Sequence, residues 1–382
     1  MSAQPSRPSS GDHVRLLRDS VADFAARGTD LKRVRRLRDS DPGFERSVWR
    51  QMADLGWLGI LVPERHGGLG LGCTEMRIVL DGLARALAPE PLCAAAVLAG
   101  GVLRQSGNEV LATELLPALV AGELIPALAW QEQAGSIDPA AITTAARPFE
   151  GGFKLGGVKR FVHGAAGADG YIVSTQGASG LMLAWVPATA SGVALERIAL
   201  ADGRLMGTLK LTDVIVPREH ILAEGAEAIS AIERALDEAL VMAGAELAGA
   251  AARSLDMSLD YMRTRVQFGK PIGSFQALAH RAVDLYIQRE LASAVLDDAV
   301  AALDAGVASP QRAMLASRVK ARCADAALKV TRESIQIHGA IGFTDEYDLG
   351  LYVKRVLVQS AWLGSAALHR RRYAHLAPVE AI

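Results

Sequence analysis

Apolar residues recur at helical spacing at both ends of the chain, whereas the middle has the short alternating runs of a β-sheet. Leu17, Val21 and Phe24 show the helical spacing, which continues to about residue 121. Residues 124–217 hold short β-branched runs bounded by glycines, which predict antiparallel strands in a compact barrel or sandwich. From residue 224 the helical spacing returns and predicts a four-helix bundle, with segments near 229–263, 275–305, 310–338 and 347–376.

These changes predict an α+β fold in which three domains follow a short lead. We expect a disordered lead at residues 1–12, because it is rich in Ser and Pro and no apolar stretch of signal-peptide length follows it. The domains are an N-terminal helical domain at 13–123, a middle β domain at 124–223 and a C-terminal four-helix bundle at 224–382. A chain of 382 residues is long enough to give each domain a core.

Charge and composition exclude several classes of partner. The formal net charge is -1, so a surface that binds nucleic acid is not expected. The longest apolar run, from Leu92 to Leu103, has 12 residues, whereas a membrane-spanning helix needs about 20. The three cysteines show no paired spacing, which indicates a reducing compartment and no metal site. We therefore expect a cytoplasmic protein that binds neither nucleic acid, nor membrane, nor metal.

A glycine-rich run at residues 68–72 could suggest a nucleotide-binding loop. The dinucleotide fingerprint needs a glycine at its sixth position, where this chain has Cys73, and no strand is predicted before the run. We therefore do not expect a Rossmann-type site there.

The most specific chemistry lies at residues 263–276, between the first two helices of the predicted bundle. This connection reads Arg263-Thr-Arg-Val-Gln-Phe-Gly-Lys-Pro-Ile-Gly-Ser-Phe-Gln276. An arginine can bind phosphate oxygens through two hydrogen bonds, a Phe-Gly turn lets a ligand approach the backbone, and Gln276 can donate and accept. The motif predicts a contact with a diphosphate and a ribose. The alternative is a stiff turn with a solvated charge pair.

Three motifs together resemble those of the acyl-CoA dehydrogenases. The connection contains the pattern Arg-x-x-Phe-Gly-x-Pro-Ile-x-x-Phe-Gln, a second motif at 336–343 reads Gln-Ile-His-Gly-Ala-Ile-Gly-Phe, and residues 55–70 resemble the family's N-terminal landmark. The motifs fall in the family's order. The resemblance implies the helical, β, helical fold, FAD as the cofactor and an acyl-CoA thioester as the substrate. It also implies an electron-transferring flavoprotein as the electron acceptor.

The resemblance assigns flavin contacts to two sets of residues. The contacts at the diphosphate and adenine end would be Arg265, Gln267, Phe268, Gln276, Gln336 and Gly339. The contacts at the isoalloxazine ring would be Ser136, Phe161 and His163. This second set is altered, because Trp130 replaces the family's threonine and the segment Phe161-Val-His163 keeps an aromatic residue but loses a hydroxyl. His163 could bond to a flavin or cap a strand end.

The resemblance also indicates where the catalytic base should be, and this chain lacks it there. Desaturating a thioester needs a base near the α carbon and a flavin that takes the hydride from the β carbon. The family's usual glutamate position holds Leu363, and its alternative position holds Ala239. Glu246 follows Ala239 by two turns on the same helix face, so it is the substitute candidate. The alternative is that Glu246 forms an ion pair across the bundle or with a partner subunit.

These losses leave three hypotheses. The first is a subunit without the base that contributes the adenine-side contacts to a catalytic acyl-CoA dehydrogenase subunit in a heterotetramer. The resemblance implies that such heteromers act on bulky acyl groups, such as steroid side chains, ring acids or dicarboxylic acids. The second is a homotetramer that uses Glu246 as a relocated base. The third is a redox-inactive scaffold or acyl-CoA-binding protein.

Overall fold

A computed structural model describes residues 10–28 and 31–377, in which helices precede a β-sheet and a helical bundle follows it. Residues 1–9 of the predicted lead lie outside the described residues. The assignment of residues 10–12 to that lead was wrong, because the first helix begins at Ser10. The order helical, β, helical is the order that the hydrophobic pattern predicts.

The described part of the N-terminal region contains six α-helices: α1 (Ser10–Gly28), α2 (Leu31–Leu37), α3 (Arg46–Asp54), α4 (Cys73–Arg85), α5 (Gly100–Arg104) and α6 (Glu109–Val120). A π-helix, Cys93–Ala99, runs directly into α5. Large apolar side chains such as Trp49, Met52 and Trp57 are buried among these helices, and they supply most of the hydrophobic stabilisation here. The glycine-rich run packs tightly, since a Cβ at Gly68 would lie 2.0 Å from the Val62 carbonyl oxygen.

The middle region is one eight-stranded sheet with the order β6-β7-β3-β2-β4-β5-β8, in which β1 pairs with β4. Its strands are β1 (Pro126–Ala129), β2 (Ala145–Phe149), β3 (Gly152–His163), β4 (Gly170–Gly177), β5 (Gly180–Pro187), β6 (Val193–Ala199), β7 (Leu205–Pro217) and β8 (Ile221–Glu224). Most pairings are antiparallel, as the alternating pattern predicts. The pairings of β1 and β2 with β4 are parallel.

The C-terminal region is built from α7 (Gly225–Thr264), α8 (Gln276–Asp304), α9 (Gln311–His338), α10 (Leu349–Ala361) and α11 (Ala366–Leu376). A two-stranded hairpin, β9 (Val266–Gln267) and β10 (Lys270–Pro271), connects α7 to α8. The prediction of one helix at 347–376 was wrong, because the chain turns between α10 and α11. Leu363 and Gly364 have φ angles of 57° and 101°, which a right-handed helix cannot contain.

Helix α7 is the centre of the molecule, because it packs against α4, α8, α9 and α10. Two glycines allow the closest approaches. A Cβ at Gly244 would lie 2.4 Å from the Val319 side chain on α9, and one at Gly249 would lie 2.3 Å from the Asp81 carbonyl oxygen on α4. The small residues of α7 therefore bring the N-terminal region and the bundle into direct contact.

Candidate functional site

The connection between α7 and α8 points its predicted nucleotide contacts into solvent. Phe268 is at the tip of the hairpin with a φ of 54° and is 91% exposed. Arg265, Gln267 and Gln276 are exposed as well, and among the described residues the Arg265 guanidinium has no hydrogen-bond or ion-pair partner. The backbone is nevertheless ordered, since the Ile272 amide donates to the Arg265 carbonyl oxygen at 2.9 Å. The loop therefore presents an unpaired cation on a defined backbone.

A stack of aromatic rings joins this connection to the second motif. The His338 ring lies between Tyr261 (centroids 4.4 Å apart) and Tyr347 (4.9 Å), and its Nε2 is 3.0 Å from the Tyr347 hydroxyl. Burial lowers the pKa of His338. Tyr261 lies one turn before Arg265, and His338 lies beside Gly339, which has a φ of 65°. The stack thus holds the two predicted nucleotide motifs close together, with Gln336 exposed between them.

The predicted ring contacts lie elsewhere, around a cavity of about 570 Å³ that we call the ring cavity. Ser136, Phe161 and His163 all line it, together with Leu363. Phe161 sits at a bulge in the pairing of β3 with β7 and has a φ of 57°. Positive φ is unfavourable for a phenylalanine, and such residues cluster at functional sites. The bulge is what directs this aromatic side chain to the cavity wall.

The turn between α10 and α11 forms another wall of the ring cavity, and two buried side chains fix its shape. The Lys320 ammonium donates to the carbonyl oxygens of Ser360 (2.9 Å) and Gly364 (3.0 Å). His369 Nε2 is 2.8 Å from the Leu363 carbonyl oxygen. Burial lowers the pKa of Lys320 to about 7 and that of His369 to about 4. Together they hold Leu363 in its left-handed conformation.

Among the described residues, no carboxylate lines the ring cavity. Its lining residues are Gln131, Ala134, Gly135, Ser136, Phe161, His163, Leu200, Ala201, Met206, Leu357, Val358, Ala361, Trp362, Leu363, Gly364, Ser365, Leu368 and Arg371. Burial, with a further contribution from Arg204, lowers the pKa of His163 to about 3, so this imidazole is neutral and a weak base. The cavity therefore offers a mainly apolar lining with a few aromatic and polar groups, and no described residue in that lining is a general base of suitable pKa.

Glu246 lies outside the ring cavity, in a smaller one of about 40 Å³ that we call the inner cavity. Burial raises the pKa of Glu246, which favours its protonated form. Gln359 donates to its Oε2, and Arg204 donates to Gln359 at 3.2 Å. Glu246 has no ion pair with a described residue, so the alternative of a pair across the bundle is not seen in the part of the chain that the structure describes.

Several site residues were missed by sequence reasoning. The resemblance pointed to Trp130 at the isoalloxazine ring, but Trp130 is buried in the core and does not line the ring cavity. The missed residue is its neighbour Gln131, which does line the cavity. No sequence pattern indicated that Lys320 and His369 support the site, because a lysine or a histidine within a helix usually lies on its surface. Trp362 could have been identified as a site residue, since it precedes Leu363, which holds the family's usual position of the catalytic glutamate.

The two sets of predicted flavin contacts do not share a cavity in the described part of the chain. The adenine-side set lies on the exposed end of α7 and α9, and the ring-side set lines the ring cavity. The exposed cation of Arg265 and the backbone of the hairpin fit a diphosphate. The ring cavity, of about 570 Å³, has the volume and the aromatic side chains to hold a flat heterocycle, yet no carboxylate base is found among its described lining residues.

Residues 10–28 and 31–377 lack two further features. No helix there has the length and apolar character needed to cross a membrane. No group of three or more His, Cys, Asp or Glu side chains in those residues could hold a metal ion.

Comparison with known proteins gave consistent matches over nearly the whole chain. The model of the acyl-CoA dehydrogenase N-terminal domain matches residues 11–123, and that of the acyl-CoA dehydrogenase C-terminal domain matches residues 227–376. The acyl-CoA dehydrogenase IpdE2 of Mycobacterium tuberculosis is 30% identical over 89% of both chains.

Two solved structures are also similar over nearly their full lengths. A variant of the Tcur3481-Tcur3483 steroid ACAD has a TM-score of 0.85 and 29% identity, and the match covers 96% of this chain and 98% of that one. The ChsE4-ChsE5 complex from Mycobacterium tuberculosis has a TM-score of 0.86 and 25% identity, with 98% of each chain covered.

Proposed function

Because this chain belongs to the acyl-CoA dehydrogenase family, we propose that it is the partner subunit of a heteromeric enzyme, in which another subunit supplies the catalytic base. The family consists of FAD-dependent oxidoreductases, and the chain is an oxidoreductase of this family. The subunit role, the substrate and the partner are the parts that we propose.

The absence of a carboxylate from the described lining of the ring cavity is the observation that carries this proposal. FAD, when bound, takes the hydride from the β carbon of the thioester, but a base must remove the α proton. Leu363 cannot accept a proton, and His163 is a weak base at its depressed pKa. The chain's own cavity is therefore poorly suited to start the reaction.

The exposure of the adenine-side contacts supports the same role. Arg265 has no partner among the described residues, so its charge is available to a ligand held partly by another chain. In this proposal Arg265, Gln267, Phe268 and Gln276 contact the diphosphate end, and Gln336 and Gly339 contact the adenine end. The rest of the cofactor, with its ring, lies in a second subunit that has the base.

An apolar stripe on α8 supports association with that second subunit. Val283, Tyr286, Ile287 and Leu291 recur at helical spacing and are 45–56% exposed. The stripe begins two turns after Gln276, so it adjoins the nucleotide motif. Exposed apolar surface of this extent on one helix is typical of an interaction surface.

The similar solved structures favour a bulky substrate. One is a steroid ACAD and the other is a complex of two named components, ChsE4 and ChsE5. We therefore infer a heterotetramer acting on a large acyl-CoA, such as a steroid side-chain thioester, with an electron-transferring flavoprotein as the electron acceptor.

A second candidate function is a homotetramer that uses Glu246 as its base. The observation that favours it is that Glu246 is a buried carboxyl with a raised pKa beside a cavity, as catalytic carboxyls often are. Sequence reasoning also left open a redox-inactive scaffold or acyl-CoA-binding protein, and flavin absorbance in the purified complex would count against that role.

Activity of the chain alone separates the two enzymatic candidates. The chain is purified without a partner, supplied with FAD, and assayed for thioester oxidation with an artificial electron acceptor. The partner role predicts no turnover. Turnover that disappears in Glu246→Gln but survives in Glu290→Gln, an exposed control on α8, would establish the homotetramer instead.

A further inference from the structure

Two cavities of different character meet at a single pair of side chains. His163 and Trp362 line both the ring cavity and the inner cavity, and no other described residue is shared between the two linings. Their ring centroids are 5.1 Å apart, with 39° between the ring planes. This pair of aromatic rings therefore stands between the two spaces.

The spaces on either side differ in size and in chemistry. The ring cavity, of about 570 Å³, has no carboxylate in its described lining. The inner cavity, of about 40 Å³, is bordered by Glu90, Glu246 and Arg204. The Oε2 atom of Glu90 has no hydrogen-bond partner among the described residues. A polar cavity of this size suits water molecules and is too small for an organic ligand.

Both members of the pair are held firmly. Trp362 is buried, and its amide donates to the Val358 carbonyl oxygen at 3.1 Å at the end of α10. The turn that follows is fixed by Lys320 and His369. His163 ends β3 and pairs with Met206 on β7. The backbone that carries each ring is therefore fixed by secondary structure.

We propose that Trp362 and His163 form a partition that limits how deeply a ligand can enter the ring cavity and that keeps Glu246 from touching it. Trp362 is then a specificity-determining residue, since the size of its side chain sets the depth of the cavity. Opening this partition joins the two cavities and exposes Glu246 to the ligand in the ring cavity. Only the identity of that ligand rests on the proposed function.

Cys93 provides a direct test, because its thiol borders the inner cavity and the side chain is only 3% exposed. The chain is treated with methyl methanethiosulfonate, and modification of each cysteine is followed by peptide mass spectrometry. Cys323, buried between α8 and α9, is the internal reference. The variants are Trp362→Ala and His163→Ala. The control is Leu363→Ala, which changes only the ring cavity.

The expected result is a rise of about tenfold or more in the labelling of Cys93 relative to Cys323 in Trp362→Ala, in His163→Ala, or in both. Leu363→Ala should leave the ratio unchanged. The labelling of Cys93 is compared with that of Cys323 because general unfolding would expose both cysteines together and leave their ratio unchanged. An unchanged ratio in both partition variants, or an equal rise in Leu363→Ala, would overturn the proposal. The assay needs neither flavin nor a partner subunit, so its failure is distinct from failure of the proposed function.

Discussion

Arg355 and Asp202 form a buried ion pair that joins the bundle to the β domain, with Arg355 Nε 2.7 Å from Asp202 Oδ2. The same arginine also reaches the N-terminal region, since its Nη1 donates to the Ala88 carbonyl oxygen at 3.0 Å. Burial opposes the charged form of Asp202, but Arg204 and Arg355 outweigh it and lower its pKa. Arg355 therefore connects all three regions, through one ion pair and one hydrogen bond.

Replacing the carboxylate of Asp202 should destabilise the folded protein. Asp202→Asn leaves the buried guanidinium of Arg355 without its counter-charge, so we expect the free energy of unfolding to fall by about 3–5 kcal/mol. The free energy of unfolding is measured by urea denaturation. Asp325→Asn is the control, because its pair with Arg370 is exposed and should contribute less than about 1 kcal/mol. Equal effects of the two substitutions would contradict the account.

Stability should also depend on pH through His369. Its imidazole is buried with a pKa lowered to about 4, whereas an unfolded histidine takes up a proton below about pH 6.5. The contribution of His369 is therefore fully present above pH 6.5 and is lost as the pH falls towards 4, by about 3 kcal/mol. Unfolding free energies over this range should show a smaller slope in His369→Gln, and an unaltered slope in the exposed control His280→Gln. A slope that does not change in His369→Gln would refute the assignment.

Arg265 should matter for the cofactor and little for the fold. Its guanidinium is exposed and unpaired among the described residues, so Arg265→Ala should leave the melting temperature unchanged. Loss of a charge-assisted contact to a diphosphate should weaken FAD binding in the complex by about 10- to 100-fold. Arg263→Ala is the matched control, because Arg263 is exposed and pairs with Asp260. The amount of bound FAD is measured from the flavin absorbance of the two purified complexes. Equal flavin loss in both would argue against a specific contact.

The apolar stripe on α8 should be needed for association. Ile287→Glu adds a charge in the middle of the stripe, so we expect at least about tenfold weaker assembly with the partner subunit. Val110→Glu on α6 is the control, since Val110 is 82% exposed but lies outside the stripe. Sedimentation or light scattering measures the assembly. Assembly that tolerates Ile287→Glu would place the interface elsewhere.

Sequence reasoning predicted the fold well because its helices and strands carry strong hydrophobic periodicity. The turn at Leu363 was missed, since a left-handed leucine leaves no signal and the apolar spacing continues through it. The strands β1 and β8 are only four residues long, which is too short for alternation to be read.

The candidate site, like the fold, was predicted from the sequence only in part. Sequence motifs identified Phe161, His163 and Leu363, which the structure brings to one cavity. The partition made by His163 and Trp362 could not be predicted, because it depends on where two distant segments meet. The location of Glu246 in a separate cavity likewise depends on three-dimensional packing.

The partner role is best tested by measuring the flavin content of this chain purified alone and after co-purification with a catalytically complete family member. We expect little flavin in the chain alone and bound flavin in the complex, which Arg265→Ala reduces. Stoichiometric FAD in the isolated chain, together with turnover of an acyl-CoA thioester, would contradict it.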